Sequence, residues 1–556
     1  MKWWQRSVFY QVYPRSFQDS DGDGVGDLTG VISRLDHLVD IGVGAMWLSP
    51  FFPSPMVDFG YDVSDYCNID PVFGSLSDFD RLIAEAHFRD LKVVIDFVPN
   101  HTSDQHPWFV ASKSSKEESN VYRDYYVWHD GRVNRQGKRV PPNNWVSHFS
   151  GSMWTWDEGR QQYYLHQYAV EQPDLNYRNP LVHAEMERVL EFWLERGVDG
   201  FRLDAVSFLY EVENLEQDEE LINPSAKGEY HRYLHTLTKS LSETHEVIGK
   251  WRELLDRYEH KLQKDLQVHK RFMVAEVSGG VELQMPYYRS GAHMPFNFQL
   301  TGMNRNRDSM WLAKSIAQWL DSMPDGCTPN WVLGSHDIKR IASKMGSTFI
   351  NVMNMLLLLL PGVPTTYYGE EIGMVDTDVT YEETQDPQGR GAGKENYKIF
   401  SRDPCRSPMQ WTEGTHSGFS TAGKTWIPVQ GNFRTCNVET QLRNPNSHLN
   451  IYKQLTTLRR KKVFAEGNFD FASVNEEILS FIRFHDGERT SLVVANFGKS
   501  PKTENFTSLN NPRRMYYPKT GVMTFRTDGS PEAEISLSDV VLTPGEGVVI
   551  EFHPLR

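Results

Sequence analysis

The stretch Lys92-Val-Val-Ile-Asp-Phe-Val-Pro-Asn-His101 decides the fold. It is a short apolar run that ends in residues able to do chemistry, which reads as a buried strand delivering Asp96 and His101 to one edge of a sheet. Seven similar runs occupy residues 8–13, 45–50, 200–204, 272–276, 331–337 and 365–368, with a weaker one at 296–298. Between them lie patterns of helical period at 28–41, 76–88, 180–196 and 347–360. Eight strands alternating with helices predict an α/β chain folded as a (β/α)8 TIM barrel with right-handed crossovers.

Two intervals are too long for simple crossovers. The first, after the third run, is rich in Trp, Tyr, Asn and Gly and carries the charged run Ser112-Lys-Ser-Ser-Lys-Glu-Glu-Ser119, so it reads as an inserted subdomain. The second, residues 211–270, is heavily charged, with helical spacing at 230–241 and 247–266. Beyond residue 464 the pattern alternates, as in Ile478-Leu-Ser-Phe-Ile-Arg-Phe484, and predicts a C-terminal antiparallel β-sandwich. The expected division is a barrel from 1–100 and 174–463, an inserted subdomain at 101–173 and a sandwich at 464–556.

Composition narrows the function. The 556 residues carry 58 Lys+Arg against 73 Asp+Glu, a net charge of −15, with 12% aromatic residues. That aromatic content excludes a disordered chain, and the acidic balance without a basic block argues against nucleic acid as a partner. Cys67, Cys327, Cys405 and Cys436 are scattered without CxxC spacing, which indicates neither a zinc site nor a disulfide framework. The longest apolar stretch, 353–360, stops at Pro361, so no membrane span is expected, and the first residues lack a signal-peptide pattern. Oligomeric state has no signature in the sequence.

In a (β/α)8 barrel the active site forms at the C-terminal ends of the strands. The residues there are Asp96 and His101, Arg202 and Asp204, Glu276, and His336 with Asp337. A single Asp in such a place is more often a helix cap than a catalyst. Carboxylates from three strands meeting at one mouth, however, suit glycosidic-bond cleavage: one attacks the anomeric carbon, one protonates the leaving oxygen and one stabilises developing positive charge. Arg202, on the same strand face as Asp204, is placed to keep that aspartate ionised.

The chain resembles glycoside hydrolase family 13 enzymes of the oligo-1,6-glucosidase and animal maltase branch. The resemblance is carried by Tyr10-Gln-Val-Tyr-Pro-Arg-Ser-Phe17, Asp96-Phe-Val-Pro-Asn-His101, Gln172-Pro-Asp-Leu-Asn176, Gly200-Phe-Arg-Leu-Asp-Ala205, Ala275-Glu276, Ser335-His-Asp337, Tyr368-Gly-Glu-Glu371 and Arg406-Ser-Pro-Met-Gln-Trp411. It implies Asp204 as nucleophile, Glu276 as general acid/base and Asp337 as transition-state stabiliser in a retaining double displacement, with a small oligosaccharide or disaccharide as substrate and no organic cofactor. The carboxyls of Asp204 and Glu276 are then expected about 5–5.5 Å apart. It also implies a glucose subsite lined by Asp58, Tyr61, His101, Arg202 and His336, with Phe149 as an aromatic wall. The arginine that pairs with Asp58 falls on Arg406 or Arg402, with Arg406 preferred.

A second motif is Asp19-Ser-Asp-Gly-Asp-Gly-Val-Gly-Asp27. Acids at loop positions one, three, five and nine match the start of an EF-hand loop, but position twelve is Gly30, so a complete EF-hand is excluded. Four neighbouring carboxylates call for a hard cation, and the expected set for a structural Ca²⁺ is Asp19, Asp21, Asp23, the Val25 carbonyl and Asp27. The resembling family has a site there.

Ala205, following the nucleophile position, implies by the same resemblance a preference for maltose-type α-1,4 bonds or sucrose over isomaltose. Two alternatives share the scaffold: the extracellular heavy subunit of an amino-acid transporter, and a transglucosidase or sucrose isomerase. Of two sequons, Asn505-Phe-Thr507 is compatible with a secreted or surface protein, while Asn100-His-Thr102 falls in the expected active site.

Overall fold

A computed structural model describes residues 1–262, 270–507 and 517–553. The barrel strands are β1 (Phe9–Val12), β2 (Ala45–Leu48), β3 (Lys92–Phe97), β4 (Gly200–Leu203), β5 (Phe272–Ala275), β6 (Met294–Pro295), β7 (Asn330–Val332) and β8 (Val363–Tyr367). They pair in parallel in the order β6-β5-β4-β3-β2-β1-β8-β7. Every residue of β1 to β5 is buried, the pattern of strands covered on both faces rather than half-solvated. The strand expected at 296–298 lies two residues earlier and is the shortest of the eight, because Pro295 has no N–H to extend the ladder. Beside it, Asn297 N donates to Asn330 Oδ1 over 3.3 Å, linking β6 to β7.

The helices follow from local signals. The expected helix at 28–41 is broken into α1 (Leu28–Ser33) and α2 (Leu35–Asp40) at Arg34, whose backbone leaves the helical region at φ −113°, ψ 5°. There the Arg34 side chain is held by Gln18 and lies over Trp411. Next comes α3 (Leu76–Phe88), opened by a Ser75–Asp78 capping box, and then α4 (Pro180–Glu195), capped by Asn179 with Pro180 in its first turn. In the long interval before β5, α5 (Ser242–Leu262) forms, but the helix expected at 230–241 does not. Tyr230 instead packs between the rings of His148 at 3.8 Å and His235 at 3.6 Å. That sandwich holds the chain as a 3₁₀ turn, Tyr230–Arg232, followed by a short antiparallel pair, Glu220–Leu221 with Tyr233–Leu234.

After β3 the chain leaves the barrel and returns through an isolated bridge between His101 and Asp174. The excursion carries a three-stranded and a two-stranded antiparallel sheet over a small core that includes Trp145, Met153, Trp154 and Leu165. At the other end, β9 (Asn468–Val474), β10 (Ile478–Phe484), β11 (Thr490–Asn496), β12 (Thr520–Arg526), β13 (Ala533–Ser536) and β14 (Gly547–Phe552) form a sheet in the order β9-β10-β11-β14-β12-β13. A second sheet pairs Lys502–Glu504 with Val540–Leu542, and the two enclose Ile482, Leu492, Phe506, Leu542 and Ile550.

One buried arginine, Arg483, joins this sandwich to the barrel, and a second, Arg459, lies on the barrel side of the same junction. Arg483 of β10 donates to the carbonyls of Leu359, Phe464 and Gly467, and Arg459 donates to that of Leu358. They cap α8 (Ile350–Leu359), numbered after α6 (Val281–Ser290) and α7 (Ser309–Ser322), by satisfying carbonyls that a helix end leaves open. No described helix is long and apolar enough to cross a membrane. All four cysteines are free thiols.

Candidate active site

The strand ends converge on a cleft of about 290 Å³ bordered by Asp58, Tyr61, His101, Phe149, Asp204, Glu276, His336, Asp337 and Arg402. Arg202, expected to line the cleft, is instead fully buried on β4 beneath the carboxyls that do. Nη1 of Arg202 bonds Asp96 at 2.7 Å and also Asp204, while Nη2 reaches Glu276 at 3.0 Å. The guanidinium is steadied by the rings of Trp47 and Tyr61, at 5.1 and 5.9 Å. Immediately after Asp204 the chain turns through Ala205 in the left-handed region, φ 48°, a conformation costly for any residue with a Cβ. That turn directs the Ala205 N–H at Glu276 Oε2, 3.0 Å away.

Three carboxyls therefore surround one cation, and their charges interact. Burial raises Asp204 well above the ordinary carboxylate range; Arg202 opposes this, while Glu276, Asp96 and Asp337 add to it. Asp96 is pushed up to about 6, again chiefly by burial. Arg202 thus does not by itself guarantee an ionised Asp204, contrary to expectation, because it is shared among too many partners. Crowding of carboxyls on one cation thus favours proton uptake at Asp204 and Asp96.

Asp337 has the opposite balance. Burial acts to raise it, but His336 where its ring is protonated, and the permanent charges of Arg402 and Arg406 throughout, outweigh that and hold it well below the usual range. Arg406 Nη2 lies 3.0 Å from Asp337 and Arg402 Nη1 3.3 Å. His336 Nδ1 receives the Gln11 amide at 2.7 Å, leaving Nε2 to face the Tyr61 hydroxyl at 2.7 Å and Asp337 at 3.2 Å. The His336 and Tyr61 rings stack at 5.2 Å and 3°. Burial lowers His336 to about 3 and His101 to about 4, so both are neutral imidazoles.

The far end of the cleft is closed by ion pairs. Arg402 donates to Asp58 at 2.6 Å and to the fully buried Asp386 at 2.6 Å. The preference for Arg406 as the partner of Asp58 is corrected here. Arg402 precedes a 3₁₀ turn that Arg406 ends, and Arg406 is drawn beneath it by the His336 carbonyl, 2.7 Å from its Nε, leaving Arg402 to meet Asp58. Phe149 packs against the Arg402 guanidinium at 5.3 Å and borders the cleft.

Asp386 and Gln172 were not among the expected site residues. Gln172 sits 3.3 Å from Asp58 and 3.0 Å from His101. It stands in a motif quoted for the resemblance, so a signal was present; Asp386, in a loop with no strand ahead of it, offered only the pair Asp386-Pro387. Tyr168, His148, Ser207, Phe208 and Gln388 also line the cleft.

In the acidic loop, carboxylate oxygens of Asp19, Asp21 and Asp27 come within 4.8 Å of one another. Asp23 is not part of that trio; its Oδ1 accepts the Val25 N–H at 2.7 Å. Backbone amides of Asp21, Gly22 and Gly24 already donate to Asp19, and those of Ser20 and Gly30 to Asp27, which offsets part of the negative charge.

A family model described as the catalytic domain of alpha-amylase matches residues 11–467. The chain is 45% identical to Maltase 1 of Drosophila virilis, over 99% of this chain and 87% of that protein. It is 43% identical to an alpha-glucosidase of Apis mellifera, over 91% of this chain and 88% of that one. It is also 37% identical to the amino acid transporter heavy chain SLC3A1 of Rattus norvegicus, over 100% of this chain and 79% of that protein. Among solved structures, an α-glucosyl transfer enzyme, XgtA, superposes with a TM-score of 0.85 at 33% identity, covering 99% of this chain and 100% of that one.

Proposed function

The chain belongs to the alpha-amylase family, and from that membership we propose that it is a retaining α-glucosidase releasing terminal glucose from maltose-type oligosaccharides or sucrose. The observation that carries this reading is the Arg202 guanidinium, which holds Asp204 and Glu276 on adjacent nitrogens with Asp337 across the same cleft. The productive state requires the proton on Glu276 and the charge on Asp204; Glu276, the more open of the two carboxyls at 21% side-chain exposure against 10% for Asp204, is the one a leaving oxygen can reach. Asp204 is then the anion that attacks the anomeric carbon as Glu276 protonates the leaving oxygen, giving a covalent glucosyl-enzyme. Glu276, now anionic, takes a proton from water, which opens the intermediate with net retention. Asp337, anionic throughout, stabilises the oxocarbenium-like transition state beside it.

The closed end supports attack at chain termini. Asp58, Arg402 and Asp386 seal the space beyond the first sugar, so a polymer has no path through. Hydroxyls of a terminal glucose would meet Asp58, Arg402, His101 and His336 there. Protein carboxylates supply all the chemistry, and no organic cofactor is required. Ca²⁺ would be held by Asp19, Asp21 and Asp27, with a structural task, because none of residues 19–27 lines the cleft.

The test is the anomer of glucose first released from p-nitrophenyl α-glucoside, followed by proton NMR, because the reducing-end glucose of maltose would leave as the mixture of anomers it already holds. α-Glucose supports retention; β-glucose as the first product overturns the mechanism. A heavy-subunit role is compatible with the SLC3A1 likeness, but the complete Asp204–Glu276–Asp337 set favours catalysis.

A further inference from the structure

We propose that Lys239, whose ammonium lies over the Phe208 ring of the cleft wall, binds the leaving sugar and so favours substrates whose leaving group carries hydroxyls. The proposal deepens the α-glucosidase reading and rests on it. With the cleft closed behind Asp58, the leaving group must depart on the side of Glu276. Glu276 is anchored there by the Ala205 N–H, at the start of the turn Val206–Phe208.

Lys239 comes from the long interval between β4 and α5 and is fixed against that turn, since Ser240 N donates to the Ser207 carbonyl at 2.7 Å. Its ammonium lies over the Phe208 ring, 5.4 Å from the centroid; burial lowers its pKa and Glu276 opposes that, while burial and then the Lys239 charge lower His148. The side chain is half-buried, yet among the described residues its ammonium has no hydrogen-bond or salt-bridge partner. On the same wall the Ser207 hydroxyl and His148 Nε2 are buried without a hydrogen-bond partner among the described residues.

Polar groups withdrawn from water and left unpaired are costly unless a ligand completes them. An ammonium with three donors, a hydroxyl and a neutral imidazole match the hydroxyls of a sugar, and the Phe208 ring offers an apolar face to its C–H groups. Beyond His148 and Gln388 a second cavity of about 340 Å³ continues outward, so the departing unit has room and longer substrates can extend.

The experiment compares maltose with p-nitrophenyl α-glucoside, whose aryl leaving group lacks sugar hydroxyls, in wild type, Lys239→Met, Lys239→Arg and Ser207→Ala. The ratio of kcat/KM for maltose to that for the aryl glucoside should fall about tenfold in Lys239→Met, through KM, the size expected for a lost charge-assisted hydrogen bond. Lys239→Arg should restore part of the ratio, and Ser207→Ala should lower it in the same direction. Transfer products at high maltose should decline in parallel, since an acceptor uses the same wall. A ratio within about twofold of wild type in Lys239→Met, or equal losses on both substrates, overturns the proposal. A wild-type enzyme that cleaves neither substrate overturns the α-glucosidase reading as well, so the two failures are distinct.

Discussion

Arg402 donates to Asp58 over 2.6 Å, joining loops 344 positions apart in sequence and closing the cleft behind its first sugar position. Burial raises Asp58, and Arg402 is the leading influence that opposes this. Removing the arginine therefore strands one buried carboxyl on Asp58 and another on Asp386. Arg402→Ala is expected to lower kcat/KM on maltose by about 10²–10³-fold, the effect of breaking a buried charge pair. Steady-state rates check this, and a loss below about threefold would contradict the assignment of Arg402 to the glucose subsite.

Asp204→Asn should abolish turnover while leaving the melting temperature equal to or above that of wild type. The expectation follows from burial: a carboxyl that the fold pushes upward is replaced by a neutral amide of the same shape. Calorimetry beside an activity assay reads both quantities. Retained hydrolysis of maltose or sucrose would remove Asp204 as nucleophile.

Ala205→Val tests the strained turn. A β-branched residue at φ 48° costs on the order of 1–3 kcal/mol, and Ala205 is buried, so the melting temperature should fall. Because the same backbone aims an N–H at Glu276, activity on maltose should fall too, with the residual rates shifted toward isomaltose. An unchanged melting curve would show that the turn accommodates Val without strain.

Glu370 provides a pH test. Burial pushes it up to about 7 from an ordinary value near 4.5, and Oε1 is buried without a partner. A carboxyl raised in the folded state contributes stability that is complete below its unfolded pKa and is lost as pH rises through about 7. Wild type should therefore gain melting temperature relative to Glu370→Gln as pH is lowered from about 8 to about 5, a difference that isolates this group from the buried histidines, whose effect runs the other way. Parallel curves for the two proteins across that range would refute the shift.

For the acidic loop, added Ca²⁺ should raise the melting temperature and EDTA should lower it, with Asp27→Asn abolishing the difference. Identical melting curves with EDTA and with Ca²⁺ would end the metal assignment.

Much of this was legible in the sequence because barrel strands advertise themselves. Each is a short apolar run, and the acids that follow β4 and β5 reach the cleft simply by being next in the chain. Residues supplied by loops were harder to read. Arg402 and Arg406 differ only in which side of a 3₁₀ turn they leave from, a matter of geometry that composition does not record. Asp386 is defined by a partner reached through folding alone. The helix expected at 230–241 failed for a related reason: the stack of Tyr230 between His148 and His235 is a long-range contact, and it overrides local spacing.

The arginines that finish α8 bear on how the chain comes apart. Arg483 belongs to the sandwich, but three of the carbonyls it satisfies, at Leu359, Phe464 and Gly467, precede β9. The last helices of the barrel are thus completed by a side chain synthesised after them. A chain cut ahead of β9 would leave those carbonyls open and the apolar end of α8 uncovered. The expected consequence is one shared unfolding transition for barrel and sandwich, with truncated chains accumulating as aggregates rather than as a smaller working enzyme.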